Sequence, residues 1–176
     1  TILQAAKIAR ENGVLISLDP NYHPDVWPDT SSFLTSIRQT FQLVDVTKPS
    51  LDDCERIFAP GLEPTEYCQR FHEWGAKTVI LSMGSKGVIL STSSGECYTL
   101  HPNKISVADV TGAGDAFWAG FLSAKLDGKS DLDAALQGQA LAEIKIETVG
   151  PLDEIPSSPE LISRARSIQY HKSKVI

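Results

Sequence analysis

The sequence predicts an α/β fold, a mostly parallel sheet flanked by helices with an antiparallel hairpin at its edge. Three observations lead there. Short apolar runs alternate with stretches of helical periodicity, the pattern of consecutive β-α-β units. The first run, Val14-Leu15-Ile16-Ser17-Leu18, is nearly continuous in apolar residues, as in a strand covered on both faces. Further on, segments 87–91 and 97–101 flank Ser93-Ser94-Gly95, a turn suited to joining antiparallel neighbours.

Taken in order, Ile2, Ala5, Ala6 and Ala9 fall at helical spacing, and Asn12-Gly13 stops that helix. Asp19-Pro20-Asn21 ends the first strand. Residues 23–30, with two prolines and two aspartates, read as a loop, after which Ser31 or Ser32 caps a helix to about Thr40. A second strand, 43–47, is broken by Pro49. Helices are expected over 51–58 and 64–74, the latter closed by Gly75, and a strand over 78–82. A helix over 115–126 places Phe117, Phe121 and Ala124 on one stripe. Another over 131–147 turns Leu132, Ala135, Leu136 and Ala140 inward and ends before Gly150-Pro151, and a last helix covers 159–168. With no repeat, low-complexity tract or linker to divide the chain, a single domain over 1–176 is expected.

Composition narrows the function classes. The 176 residues are 41% hydrophobic and 22% charged, with a net charge of −6. An acidic balance argues against a nucleic-acid surface, which needs a concentrated basic face. No apolar run approaches a membrane span, and Lys7, Arg10 and Glu11 interrupt any leader-like stretch. Cys54, Cys68 and Cys97 are odd in number and lack metal-ligand spacing, which suits free thiols in a reducing compartment. His23, His72, His101 and His171 are scattered and form no zinc pattern. The chain starts at Thr1, has Met83 as its only methionine and opens inside a predicted helix, so it is expected to be either a processed product or a piece of a longer polypeptide.

The most informative stretch is Asp109-Val110-Thr111-Gly112-Ala113-Gly114-Asp115-Ala116-Phe117, where small residues turn a loop into an amphipathic helix. A helix start has unpaired N–H groups and the positive end of the macrodipole. Without bulky side chains, an anion can approach those amides closely. Gly112, Ala113 and Gly114 would form a backbone anion hole for a transferring phosphoryl group, and Asp115 could accept the proton of an attacking hydroxyl. A capped tight turn would show the same residues. No Walker A loop occurs in the chain, nor a dinucleotide G-x-G-x-x-G after its first strand.

This string, continuing through Ala119-Gly120-Phe121-Leu122, resembles the C-terminal signature of the ribokinase-like (pfkB) carbohydrate kinase family. The resemblance implies that Asp115 is the catalytic base and that Gly112 to Gly114 hold the anion. It also implies a monovalent cation (K+) near Asp109 and Thr111, completed by the segment near Gly150. Ser82-Met83-Gly84-Ser85-Lys86-Gly87 resembles the family's loop along the nucleotide, with Gly84, Ser85 and Gly87 in contact with it, as would be the helix around Gln139. Ser17-Leu18-Asp19-Pro20-Asn21-Tyr22-His23, followed by Val26-Trp27, is similar to the D-x-N-x-R segment of fructokinase-like and 2-keto-3-deoxygluconate kinase-like members. Asp19, Asn21 and His23 would then face substrate, with His23 where the family has arginine.

Val46-Thr47-Lys48-Pro49-Ser50-Leu51-Asp52-Asp53 occupies the place of K-P-N-x-x-E, which orders magnesium and its waters. Ser50 stands for the Asn and Asp53 for the Glu. The same residues also suit an N-cap and its third-position partner. The implied activity is ATP- and Mg2+-dependent phosphorylation of a sugar or sugar-acid hydroxyl by a cytoplasmic, homodimeric full-length enzyme with neither nucleic-acid nor membrane partners. The matched motifs belong to the C-terminal half or somewhat more of a typical member, so the N-terminal part and its lid are expected to be missing. An inert nucleotide-binding or structural module of the same fold is the alternative, and a dinucleotide oxidoreductase ranks last.

Overall fold

The computed structural model describes residues 2–152 and 154–173. Within them the chain packs as two compact units, the first built from residues up to 83 with 91–97 and 173, the second from 84–90 and 98–172. Six strands run through the sheet in the order β1-β2-β3-β4-β5-β6.

The first unit alternates helix and strand: α1 (Ile2–Glu11), β1 (Ser17–Leu18), α2 (Thr30–Phe41), β2 (Val46–Thr47), α3 (Leu51–Phe58), α4 (Pro64–Trp74) and β3 (Thr78–Ser82). β1, β2 and β3 are parallel, with Leu18 opposite Thr47 and Thr47 opposite Val79. The expected strands 14–18 and 43–47 shorten to two residues each. Val14 and Leu15 are exposed at the edge strand rather than buried on both faces, so the ladder closes only at Ser17 and Leu18. The cap of α2 also differs from expectation: Asp29, not Ser31 or Ser32, accepts the amide of Ser32 at 3.0 Å. Pro64 starts α4, and Gly75 ends it at φ 119°, where a Cβ would lie 2.9 Å from the Gln42 backbone. Phe41, Phe58, Phe71 and Trp74 form the aromatic part of this core, with Val79, Ile80 and Leu81 fully buried on β3.

β4 (Val88–Thr92) and β5 (Cys97–His101) follow. Between them Thr92 accepts the Gly95 amide and donates its own to Glu96, closing the expected turn. The second unit continues through α5 (Ala113–Leu126), α6 (Asp131–Ile146), α7 (Ser158–Ser167) and β6 (Gln169–Lys172). β6 has no counterpart in the sequence reading. It pairs antiparallel with β5, placing His101 opposite Gln169 and Tyr98 opposite Lys172. α5 and α6 approach through glycines: a Cβ on Gly138 would lie 2.7 Å from the Phe117 carbonyl, and one on Gly120 would lie 3.0 Å from that of Gln137. Phe117, Phe121 and Ala124 are buried as their spacing predicts, while on α6 Ala134, Ala135, Gly138 and Ala140 are buried and Leu132 and Leu136 are only half-buried. No helix among the described residues is long and apolar enough to cross a membrane.

Candidate active site

The glycine turn lies in the second unit. Gly112 is the N-cap of α5 with φ 77°, a left-handed conformation that favours glycine, and no side chain caps the helix. Ala113 N–H is taken by the Val110 carbonyl and Ala116 N–H by that of Gly112. The amides of Gly114 and Asp115 have no acceptor among the described residues. Open amides at a helix start, beside the positive end of a 14-residue helix, suit an anion. Asp115 sits in the first turn, exposed, with its carboxylate bonded to nothing else described. It does not cap the helix, so its side chain remains available for other chemistry.

Behind this turn lie the residues expected near a monovalent cation. Asp109 Oδ1 accepts the Thr111 amide at 2.9 Å, and Oδ2 accepts that of Gly150 at 3.3 Å. These partners, Thr111 first and then Gly150 and Lys145, hold the Asp109 carboxyl down to about 2. Lys145, only 6% exposed, places Nζ 3.7 Å from Asp109 Oδ2 and donates to the carbonyls of Asp109 and Thr148 at 3.5 and 3.3 Å. An ammonium already stands beside the Asp109 carboxylate, so these residues do not fit an external monovalent cation as an otherwise empty site would.

Gly84, Ser85 and Lys86 form an exposed 3-10 turn in the same unit. Gly84, at φ 56°, has open space around it. Gly87 is buried and has a packing reason of its own: a Cβ there would meet the Leu100 carbonyl at 2.1 Å. Gln139 is buried on α6 and donates to Glu143 Oε1 at 3.2 Å. Glu143 is wholly buried and accepts both the backbone and side-chain N–H of Asn103 at 2.9 Å. Gln139 therefore belongs to a core hydrogen-bond network.

The remaining candidates lie in the first unit. Lys48 Nζ approaches Asp19 Oδ2 to 2.7 Å. Burial raises the pKa of Asp19 above the ordinary carboxylate value; Lys48 works against that, and the nearby Asp53 charge adds to it. Asp19 Oδ1 and Thr47 Oγ1 are buried without a partner among the described residues. Ser50 is the N-cap of α3 and Asp53 its third residue. Ser50 donates its amide (3.0 Å) and hydroxyl (2.6 Å) to Asp53 Oδ2, and its Oγ accepts the Asp53 amide. Asp53 Oδ1 is left over. Asp19 is already paired with an ammonium, and no group of three or more acidic, histidine or cysteine side chains gathers among the described residues, so what fits magnesium here is a water-mediated contact through the spare oxygen of Asp53. Asn21, at φ 39°, and His23 line a cavity of about 610 Å3 walled by Leu18, Tyr22, Trp27 and Phe33. Asp19 is not on its wall.

Sequence reasoning missed Lys145 and the role of Lys48. A lysine in the last turn of a helix normally extends to solvent, and nothing in its spacing marks it as turned inward. Cys54, Cys68 and Cys97 are free and buried, and burial pushes all three thiols up, away from reactive thiolate.

The fold is ribokinase-like: the ribokinase from Thermotoga maritima superposes with a TM-score of 0.74 at 25% identity, covering 95% of this chain and 53% of that one. The aminoimidazole riboside kinase from Salmonella enterica, solved with aminoimidazole riboside and an ATP analog, superposes with a TM-score of 0.80 at 23% identity, covering 94% of this chain and 57% of that one. The profile of the pfkB family carbohydrate kinases matches residues 1–158, and the chain belongs to that family. An ATP-dependent 6-phosphofructokinase from Thermoanaerobacterium thermosaccharolyticum is 39% identical over 143 residues, 81% of this chain and 44% of its own length. A 2-dehydro-3-deoxygluconokinase from Bacillus subtilis is 30% identical over 154 residues, 88% of this chain and 47% of its own. The chain spans about half the length of the curated relatives it matches.

Proposed function

We propose that this chain carries the phosphoryl-transfer half of an ATP-dependent kinase acting on a hydroxyl of a sugar or sugar acid. The observation that carries the reading is the uncapped start of α5: open amides at Gly114 and Asp115 beside an exposed, unbonded carboxylate. Asp115 accepts the proton of the attacking hydroxyl, while the backbone from Gly112 to Gly114 stabilises charge on the phosphoryl oxygens. Magnesium, when bound, neutralises phosphate charge. Asp53, through the oxygen its capping box leaves unused, would hold its waters. Gly84 and Ser85 offer an open turn to the nucleotide, and Asn21 and His23 line the cavity suited to the acceptor.

The kinase relatives support the reaction class, and the 6-phosphofructokinase among them makes a phosphorylated sugar one acceptor to test. A second reading, a nucleotide-binding module without turnover, is favoured by one observation. Ser50 replaces an amide side chain and engages Asp53 Oδ2 in a capping box, leaving one carboxylate oxygen for the metal. Calorimetry of the 176-residue chain with a non-hydrolysable ATP analogue and Mg2+ is expected to show binding under both readings. Absence of heat and of a thermal shift at millimolar nucleotide would contradict both. Sugar phosphorylation by the complete polypeptide separates them.

A further inference from the structure

We infer that the ε-ammonium of Lys145 is the resident cation of the glycine turn, filling the place an exchangeable monovalent cation would need. Its consequence for turnover rests on the phosphoryl-transfer reading, and its consequence for structure rests on geometry alone.

The Lys145 side chain is 8% exposed. A buried ammonium persists only where other oxygens replace its water. Three do so: Asp109 Oδ2 at 3.7 Å, the Asp109 carbonyl at 3.5 Å and the Thr148 carbonyl at 3.3 Å. One carboxylate and two backbone carbonyls are also the oxygen set that suits a potassium ion, which an ammonium group resembles in size and charge. The group is tethered close behind the N-cap of α5, since Lys145 Cε would be 3.8 Å from a Cβ placed on Gly112. Asp109 ties the two sides of the cage together by accepting the amides of Thr111 and Gly150. Unneutralised, its carboxylate would repel any anion arriving at the turn three residues later. Lys145 cancels that charge from within the chain, so the turn keeps its form and its welcome for an anion in any salt.

The test is thermal unfolding of the 176-residue chain in KCl, NH4Cl and choline chloride at equal ionic strength. The wild type is expected to melt at the same temperature in all three. Lys145→Ala, which empties the cage, is expected to melt roughly 5–10 °C lower in choline chloride. K+ or NH4+, but not choline, should restore most of that loss. Lys145→Met, which fills the space without charge, should melt low in every salt. Wild-type stabilisation by K+ over choline overturns the inference, and so does a Lys145→Ala protein equally low in all three salts. If Lys145→Ala does not fold, the wild-type comparison and Lys145→Met decide: a Met variant melting like wild type overturns it. In the complete polypeptide, turnover should be independent of K+ in the wild type and K+-dependent in Lys145→Ala. Failure of the kinase reading appears separately, as no turnover on any sugar while the melting pattern holds.

Discussion

Lys48 Nζ lies 2.7 Å from Asp19 Oδ2, with the two side chains only 7% and 16% exposed. The pair joins the end of β1 to the residue after β2, whose amide donates to the Leu18 carbonyl. Burial works against the Asp19 charge, and Lys48 offsets that cost. Removing the lysine alone strands a buried carboxylate that already has one unpartnered oxygen. Lys48→Met is therefore expected to destabilise by about 3–5 kcal/mol, and adding Asp19→Asn should recover a large part of it. Denaturant unfolding of the four proteins of this cycle reads the coupling. Additive losses would show that the pair is not energetically linked.

The α5–α6 contact depends on Gly138, where a Cβ would sit 2.7 Å from the Phe117 carbonyl and 3.1 Å from its ring. Backbone cannot yield as a flexible side chain can. Gly138→Ala should cost about 1–3 kcal/mol by overpacking, despite alanine's better helix propensity. Since Phe117 lies one turn into α5 from Gly114, the variant should also weaken nucleotide binding. A stabilised variant in chemical unfolding would contradict the close approach.

Acid should loosen the second unit at the glycine turn. The Asp109 carboxyl is lowered from 3.8 to about 2, so its contribution is complete above about pH 4 and is lost as pH falls towards 2. Asp45 acts in the same direction: burial raises its pKa but is outweighed by Lys77, the Ile16 amide and Arg10. Asp19, whose pKa is raised, acts oppositely, favouring the fold below 3.8 and losing that contribution as pH rises through its folded value. Asp109→Asn should flatten the loss of melting temperature between about pH 4 and pH 2. An unchanged slope would show that Asp109 is not pinned by its amide partners.

Much of this architecture is legible in local sequence chemistry. Ser50-Leu51-Asp52-Asp53 announces a capping box, and the capping box forms. Pro64 and Gly75 bracket α4 as start and stop residues do. What escapes the sequence is set by tertiary partners. β6, Gln-Tyr-His-Lys, has no apolar alternation, its residues are all exposed, and it is a strand because β5 offers it a ladder. Val14 and Leu15 read as strand but have no ladder partner. At the candidate site, the glycine turn and Asp115 stand out by residue type and spacing. The inward turn of Lys145, which brings its ammonium beside Asp109, depends on where the 148–150 segment returns, and no local pattern encodes that.

The central claim is that Asp115 is a base and not a helix cap, and Asp115→Asn in the complete polypeptide tests it most directly. The amide keeps the shape of the carboxylate, and the exposed side chain supports no cap, so the fold and nucleotide binding should survive. Sugar phosphorylation should fall about 10²–10⁴-fold, the range for loss of a general base. Asp52→Asn, an exposed acid in the first turn of α3, is the control and should leave turnover unchanged. A turnover of Asp115→Asn equal to that of the wild type, with nucleotide still bound, would contradict the account.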